Sequence, residues 1–350
     1  MMLKKSFTLL LAAGIWATLS LLPILTPSEY AMADENKLVI AHRGASGYLP
    51  EHTLAAKAMA HAMNADYIEQ DVVLTKDGKA IILHDIHLGT VTDVAKKFPK
   101  RKRDDGRFYA IDFTLVEIKT LNVHERRRKG TRASVYSNRF PQGLSTFKVP
   151  TLIEEIELIQ GLNKSTGKNI GIYPEIKAPQ FHRDNGQDLA KAVLKILDDY
   201  GYKSKSDKVI VQCFNWAETQ RIRNELGYRG KLVQLLGENR WGISPDTDYD
   251  HLKSPAGLKE IAAIADGIGP WINQIVTGTN SDGTPKLTDL AANAKAAGLD
   301  IHPYTARKDQ LPKWAETYDS LLEIILNTAK ADGIFTDFPD LAVAFVSKQK

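Results

Sequence analysis

The sequence predicts an α/β fold: a (β/α)8 TIM barrel with a small insertion after its second-strand hairpin. Three observations carry this. Short apolar runs with strand character recur eight times along 350 residues. Each is followed by a stretch with helical spacing. No repeat or low-complexity tract breaks the series. Eight β-then-α units in a chain of this length fit a closed barrel. A doubly wound open sheet is the competing arrangement.

The strand candidates are LVIAHRG (38–44), YIEQDVVLT (67–75), IGIYPEIKA (170–178), KVIVQCF (208–214), KLVQLL (231–236), DGIGPWI (266–272), DIHPYT (300–305) and DGIFTDF (332–338). The first run ends in Gly44 and Gly47, where the chain can turn. Helical spacing follows over 51–64, and Pro50 and Thr53 are helix-start residues. Behind the second run, Lys76-Asp77-Gly78 reads as a hairpin turn into AIILHD (80–85), which should pair back on it. From Ile86 to Pro150 no clean periodicity survives, so this interval reads as an excursion from the barrel. The later strands alternate with helical stretches at 151–162, 187–200, 216–226, 255–265, 287–297, 311–330 and 339–347.

Residues 1–33 lie outside this pattern. Lys4 and Lys5, an apolar run from Phe7 to Leu25, and Ala31 and Ala33 at the cleavage positions read as a signal peptide. Thr8, Thr18, Ser20 and Pro23 interrupt the run and disfavour a retained membrane anchor. The expected mature domain is 34–350, secreted across the inner membrane, with the periplasm as its compartment and no stable membrane insertion after cleavage. Cys213 is the single cysteine. No intrachain disulfide exists, and packing must supply the stability.

Net charge is +4, too mild for nucleic acid as the main partner. Its distribution is uneven. Lys96 to Arg132 holds 13 Lys and Arg against 5 Asp and Glu. This basic segment, densest at Arg126, Arg127, Arg128 and Lys129, reads in two ways. It is a solvated surface, or it raises the potential over a cleft and draws in an anionic substrate.

Barrel active sites form at the carboxyl ends of the strands, and polar residues gather there. His42 and Arg43 end the first strand, His84 and Asp85 close the hairpin, and Asp337 ends the eighth. Glu69 and Asp71, two residues apart on a strand, share a face. Two carboxylates so placed repel unless a cation joins them, and Glu175 brings a third from the neighbouring strand. Three carboxylates without a thiolate suit a hard cation such as Ca²⁺ or Mg²⁺. Zinc would want more nitrogen or sulfur than this set offers. His42 and His84 are the candidate acid and base, since an imidazole titrates near neutral pH. Arg43 and Lys177 add positive charge suited to a phosphoryl group. Strict alternation would turn Arg43 away from His42, so both can serve only if the strand ends there. Glu51 and His52 are either supports of this cluster or helix-start residues.

The ordered set HRGASGYLPEHT, EQDVVLTKDGKAIILHD, GIYPEIKAP, HPYTAR and DGIFTDFPD resembles the glycerophosphodiester phosphodiesterase family, and within it the secreted, periplasmic GlpQ-type members. The resemblance spans essentially all of 38–347. It implies a (β/α)8 barrel and metal-dependent hydrolysis of glycerophosphodiesters, the deacylated phospholipids, to sn-glycerol 3-phosphate and an alcohol. It implies His42 and His84 as the acid/base pair and Glu69, Asp71 and Glu175 as ligands of one divalent cation, Ca²⁺ before Mg²⁺. It places Arg43 and Lys177 on the phosphate, and Gln212, Phe214 and Tyr304 along the substrate cleft. One departure stands out. Where the family continues after His-Asp with Leu, Asp, Arg, this chain has Leu88-Gly89-Thr90, which removes an ion pair below the insertion. Two other readings are a barrel phospholipase C or D type acting on intact lipid, which needs an exposed apolar rim, and a non-catalytic surface-binding protein. The sequence leaves the oligomeric state open, a homodimer included.

Overall fold

The computed structural model describes residues 37–349, so the expected signal peptide lies outside the described residues. In chain order the strands are β1 (Leu38–Ala41), β2 (Tyr67–Leu74), β3 (Ala80–Ile82), β4 (Gly171–Ile176), β5 (Ile210–Cys213), β6 (Lys231–Leu236), β7 (Gly267–Pro270), β8 (Val276–Thr279), β9 (Pro285–Leu287), β10 (Asp300–Ile301) and β11 (Gly333–Thr336). Eight run parallel in the order β10-β7-β6-β5-β4-β2-β1-β11. The two ends of this series meet. Phe335 N donates to Pro303 O (2.9 Å), and Ala306 N donates to Phe335 O (2.8 Å). The sheet is therefore a barrel, and the open-sheet arrangement is excluded.

Helices Leu54–Ala62, Leu152–Thr166, Leu189–Asp199, Trp216–Asn224, Pro255–Ala262, Leu290–Ala296, Tyr318–Leu322 and Pro339–Ser347 follow the barrel strands in turn. Thr53 caps the first, its hydroxyl accepting from Ala56 N at 3.2 Å, as a helix-start threonine should. The helix expected over 311–330 begins only at Tyr318. Thr317 and Ser320 cap each other's backbone there, which fixes the start, and the helix runs on as a π turn over Glu323–Thr328. A β8–β9 hairpin stands outside the expected series; nothing in its exposed, polar run set it apart from a loop.

The strands sort their side chains by period two. Outward residues such as Ile68, Val72, Ile172 and Val211 join one large core with the helices. Inward residues Ile40, Tyr67, Tyr173, Ile210, Val233 and Phe335 pack together and plug the barrel. His302, a polar strand residue in the sequence, sits in this layer, its Nδ1 3.0 Å from the Tyr173 hydroxyl.

The expected hairpin forms, with β3 antiparallel on β2. The chain from 86 to 150 then builds its own core. Leu88, Val91, Val94, Phe108, Phe113, Ile118 and Leu121 pack on Val73, Ile81 and Leu83 of the hairpin. It uses short helices, Val94–Lys97 and Leu115–Thr120, joined by irregular backbone. Turns this short carry no long hydrophobic period, which is why the sequence showed none.

Candidate active site

The site lies one layer above the plug, on the same inward faces. Two residues beyond each plug residue stand His42 after Ile40, Glu69 after Tyr67, Glu175 after Tyr173, Gln212 after Ile210, Leu235 after Val233 and Asp337 after Phe335. Asp71 follows Glu69 by two more. A cavity of about 200 Å³ collects nine of the ten expected residues: His42, Arg43, Glu69, Asp71, His84, Glu175, Gln212, Phe214 and Tyr304. The tenth, Lys177, reaches the same group, its Nζ 2.7 Å from Glu175 Oε1 and 3.4 Å from Asp71 Oδ1.

Strand β1 ends at Ala41, which frees Arg43 from alternation. Arg43 takes the left-handed conformation at φ 59° and Gly44 follows at φ 86°. A Cβ on Gly44 would lie 2.8 Å from the Ala56 carbonyl, so glycine alone fits between turn and helix. The turn aims Arg43 N at Glu69 Oε2 (2.6 Å) and its guanidinium at Glu51 Oε1 (3.1 Å), Asp71 Oδ2 (3.5 Å) and His42 Nε2 (3.2 Å). A non-glycine residue held at positive φ is strained, and here the strain positions a charged side chain.

Each histidine gives Nδ1–H to an aspartate: His42 to Asp337 Oδ1 at 2.6 Å, His84 to Asp85 Oδ1 at 2.7 Å. A carboxylate can only accept, so Nδ1 carries the proton and Nε2 the lone pair. Burial, then the Arg43 guanidinium, pulls both rings down to about 4 against the opposing pull of their aspartates. Asp337 is buried and Asp85 partly so, which favours their neutral form. Even so Arg307, His42 and Arg139 hold Asp337 well below the usual carboxylate range, and His84 and Arg126 do the same for Asp85.

The carboxylates form a crowded floor. Burial and then the neighbouring Asp71 push Glu69 well above the carboxylate range. Burial lifts Glu175 to about 8 against the pull of Lys177. Asp71 Oδ1 is buried without a hydrogen-bond partner. Like charges stacked in low dielectric, with an oxygen that accepts no hydrogen bond, are a donor set that a cation would suit. The donors fit a hard divalent ion. Among the described residues, donor atoms of His52, Glu69 and Asp71 all lie within 4.8 Å of one another, which puts His52 where Glu175 was expected. His52 is otherwise occupied, however. Its Nε2 is 2.7 Å from Asp71 Oδ2 and its Nδ1 3.3 Å from the Lys57 ammonium. Lys57 is a pure donor, so Nδ1 accepts and Nε2 donates to Asp71. His52 therefore orients Asp71 rather than offering a lone pair.

A model of the glycerophosphoryl diester phosphodiesterase family matches residues 42–341. The chain belongs to this family. The glycerophosphodiester phosphodiesterase of Haemophilus influenzae is 44% identical over 362 aligned residues, 99% of both chains. That of Treponema pallidum is 40% identical over 89% of this chain and 92% of its own. The fold is shared with an Oleispira antarctica phosphodiesterase solved with its product sn-glycerol-3-phosphate, at TM-score 0.60 and 20% identity over 89% and 96% of the two chains.

Within this family member, the remaining assignments divide. Gln212 is buried with Oε1 unpartnered, ready for a donor. Tyr304 donates its hydroxyl to Leu236 O at 2.7 Å, so it offers the cleft its ring, packed edge-on against Phe214 at 5.8 Å. Glu51 is more than a helix-start residue: it accepts from Arg43 and, at 2.6 and 2.8 Å, from Arg126. Arg126 also donates to Asp85 Oδ2 at 2.7 Å, alongside the Thr90 hydroxyl at 3.0 Å. The ion pair expected to be lost with Leu88-Gly89-Thr90 is thus supplied from 36 residues further on. Arg139, Arg307 and Lys57 were not picked out in the sequence; Arg139 and Arg307 gain their role only from contacts remote in the chain.

Proposed function

We propose that the chain hydrolyses glycerophosphodiesters to sn-glycerol 3-phosphate and an alcohol, with His42 and His84 as the acid/base pair. The observation that carries this is the convergence on one small cavity of two His–Asp pairs, three carboxylates, Arg43 and Lys177. In the net reaction a phosphorus–oxygen bond to the alcohol breaks, water's oxygen joins phosphorus, and the departing oxygen takes a proton. One imidazole gives up its Nε2 lone pair to a proton while the other, protonated, donates. The paired aspartates fix both tautomers and stabilise each ring when it becomes cationic. Arg43 and Lys177 offset the charge that builds on the phosphoryl oxygens. Glu69, Asp71 and Glu175 would hold one divalent cation, Ca²⁺ ahead of Mg²⁺, which when bound adds Lewis-acid stabilisation of the phosphoryl group.

The chain is read further as a secreted, periplasmic enzyme with residues 1–33 as its signal. Lys4, Lys5, the apolar run and Ala31-Met32-Ala33 support this. Among the described residues no helix is long and apolar enough to cross a membrane. An intact-lipid substrate is disfavoured, because of the exposed large apolar side chains among the described residues only Ile243 borders the cleft.

The test is release of sn-glycerol 3-phosphate from glycerophosphocholine, glycerophosphoethanolamine and glycerophosphoglycerol with defined metals. Product is expected with Ca²⁺ or Mg²⁺ and not after chelation. Full turnover by a chelated, metal-stripped sample would refute the metal role; no product from any diester with either ion would refute the function.

A further inference from the structure

The inner cavity is smaller than the roughly 300–1,000 Å³ of pockets that take a whole small-molecule ligand. It adjoins a second cavity of about 830 Å³, and the two share His84, Glu175, Phe214, Trp241 and Tyr304. On the function proposed above, the inner cavity takes the glycerol and phosphoryl half, and the larger one takes the departing alcohol. His84 stands at their junction.

The charge of the larger cavity is lopsided. Arg107, Arg127, Arg128 and Lys129 line it. None of the four has a carboxylate oxygen within 4.0 Å among the described residues. Several cations nearby are ion-paired: Arg101 with Glu117, Arg103 with Asp112, Lys119 with Glu154, Arg126 with Glu51 and Asp85, and Arg139 with Asp309 and Asp337. The partners of the four are neutral where they exist. Arg127 Nε donates to Gln142 Oε1 at 2.7 Å, and Arg107 Nη1 lies 3.3 Å from His87 Nε2. The acids on this wall have partners of their own, Glu175 in the Lys177 ammonium at 2.7 Å. Asp85 holds His84 and Arg126, and Asp105 accepts from the Tyr109 hydroxyl at 2.6 Å and from Arg107 N at 3.0 Å.

We propose that this cavity is a subsite for an alcohol that carries its own phosphate, so that the favoured diester has a second phosphate on the leaving side. Four cations without an ion-pair partner around one concavity repel a quaternary ammonium headgroup and attract a dianion. Guanidinium groups in particular grip phosphate oxygens in pairs. The aromatic walls, Phe108 and Trp241, would favour a cationic headgroup, which makes glycerophosphocholine the discriminating competitor.

The experiment compares three substrates under the metal conditions that support turnover: glycerophosphoglycerol, the same diester with a terminal phosphate on its leaving glycerol, and glycerophosphocholine. One charge-assisted contact corresponds to about tenfold or more. The phosphorylated diester should therefore show kcat/KM at least about tenfold above glycerophosphoglycerol. In the variant Arg127→Gln, Arg128→Gln, Lys129→Gln that ratio should fall toward one, with retained far-ultraviolet circular dichroism as the check on folding. A single Arg107→Gln variant should lower it in the same direction and serves if the triple variant does not fold. Equal turnover of the first two substrates, or a preference for glycerophosphocholine, would overturn the subsite while leaving the hydrolysis reading intact. Failure on all three would overturn both.

Discussion

His42 and His84 each give Nδ1–H to an aspartate, yet the two aspartates are anchored in different parts of the molecule. Asp337 follows β11 in the barrel wall and is 2% exposed, gripped by Arg307 and Arg139. Asp85 ends the hairpin and is 26% exposed, held by Arg126 from the excursion. The rings differ in the same sense, 12% exposed for His42 against 32% for His84. One half of the acid/base pair is thus built into the barrel, and the other is braced by a segment that also walls the larger cavity. Arg126 joins the two halves, since it ties Glu51, which holds Arg43, to Asp85. The lesson is that the basic segment is not one thing. Arg126 is tied into the ion-pair frame, whereas Arg107, Arg127, Arg128 and Lys129 line the larger cavity without an ion-pair partner.

The largest effect expected is loss of either histidine. His42→Ala and His84→Ala should each lower kcat by roughly 10²–10⁴-fold, with little change in the rise of Tm on adding the metal. A diester with a good leaving group needs no general acid, so it should rescue one variant and leave the other impaired. If either substitution abolished the metal-induced rise in Tm, that histidine would be a ligand and its assigned role would be wrong.

Next come the aspartates. Asp337→Asn leaves Arg139 and Arg307 facing a neutral amide in a buried site, and removing one partner of a buried ion pair costs about 3–5 kcal/mol. Asp85→Asn breaks a more exposed pair and should cost about 1 kcal/mol. Urea unfolding of the two variants checks this. Equal losses would mean that the excursion anchors its dyad as firmly as the barrel does, and the contrast would fail.

This contrast marks where the sequence was legible. Period two along a strand put Glu69 and Asp71 on one face, and closure of eight such strands brings nine of ten expected residues to one cavity. That inference is local, needing only spacing and strand order. Arg43 was legible in part: its reach depended on β1 stopping, which Gly44 signalled. The groups that hold these residues were not. Asp337 meets His42 across 295 residues, and Arg139 meets Asp337 across 198. No local pattern encodes such a pairing, and a lone arginine in an irregular loop looks like any solvated charge. His52 was the intermediate case. Its place in PEHT marked a helix start, whereas its contact with Asp71 follows from a left-handed φ of 63°, which nothing in the sequence announced.

A pH experiment reads the buried rings of the fold by difference, since His42 and His84 are also lowered to about 4 and share their window. Burial lowers His182 to about 4, with both ring nitrogens unpartnered, and lowers His302 to about 4. The unfolded value is about 6.5. Below it the unfolded chain takes up protons first, so stability should fall as pH drops from about 6.5 to about 4, by up to about 3 kcal/mol per ring. Asp337 and Asp85 act in another window. Their folded values are depressed, so their contribution is present above about 4 and is lost only below it. His182→Phe should therefore flatten the slope between pH 6.5 and 4 and leave the fall below 4 in place. An unchanged slope would show that His182 is not held neutral by burial.

The smallest effect expected is electrostatic steering by the cleft-facing cations. Arg126 belongs to the ion-pair frame, so it must be left out of any such test; its loss would disturb His84 and Arg43 directly. Arg127, Arg128 and Lys129 are the appropriate set. A field from them raises encounter rates by about tenfold or more at low salt and fades with ionic strength, since screening acts over about 8 Å at 0.15 M and about 3 Å at 1 M. Neutralising the three should lower kcat/KM more for anionic glycerophosphoglycerol than for zwitterionic glycerophosphocholine, leave kcat nearly unchanged, and do so less as salt rises. A seated second phosphate behaves differently, because a direct contact inside a cavity is screened far less than a field across solvent. The salt series thus divides the two roles of the same residues. A preference that survives 1 M salt belongs to contact, and one that vanishes belongs to steering. Losses equal for both substrates at every ionic strength would mean that the segment acts through shape alone, and its unpaired charges would then have no part in the comparison.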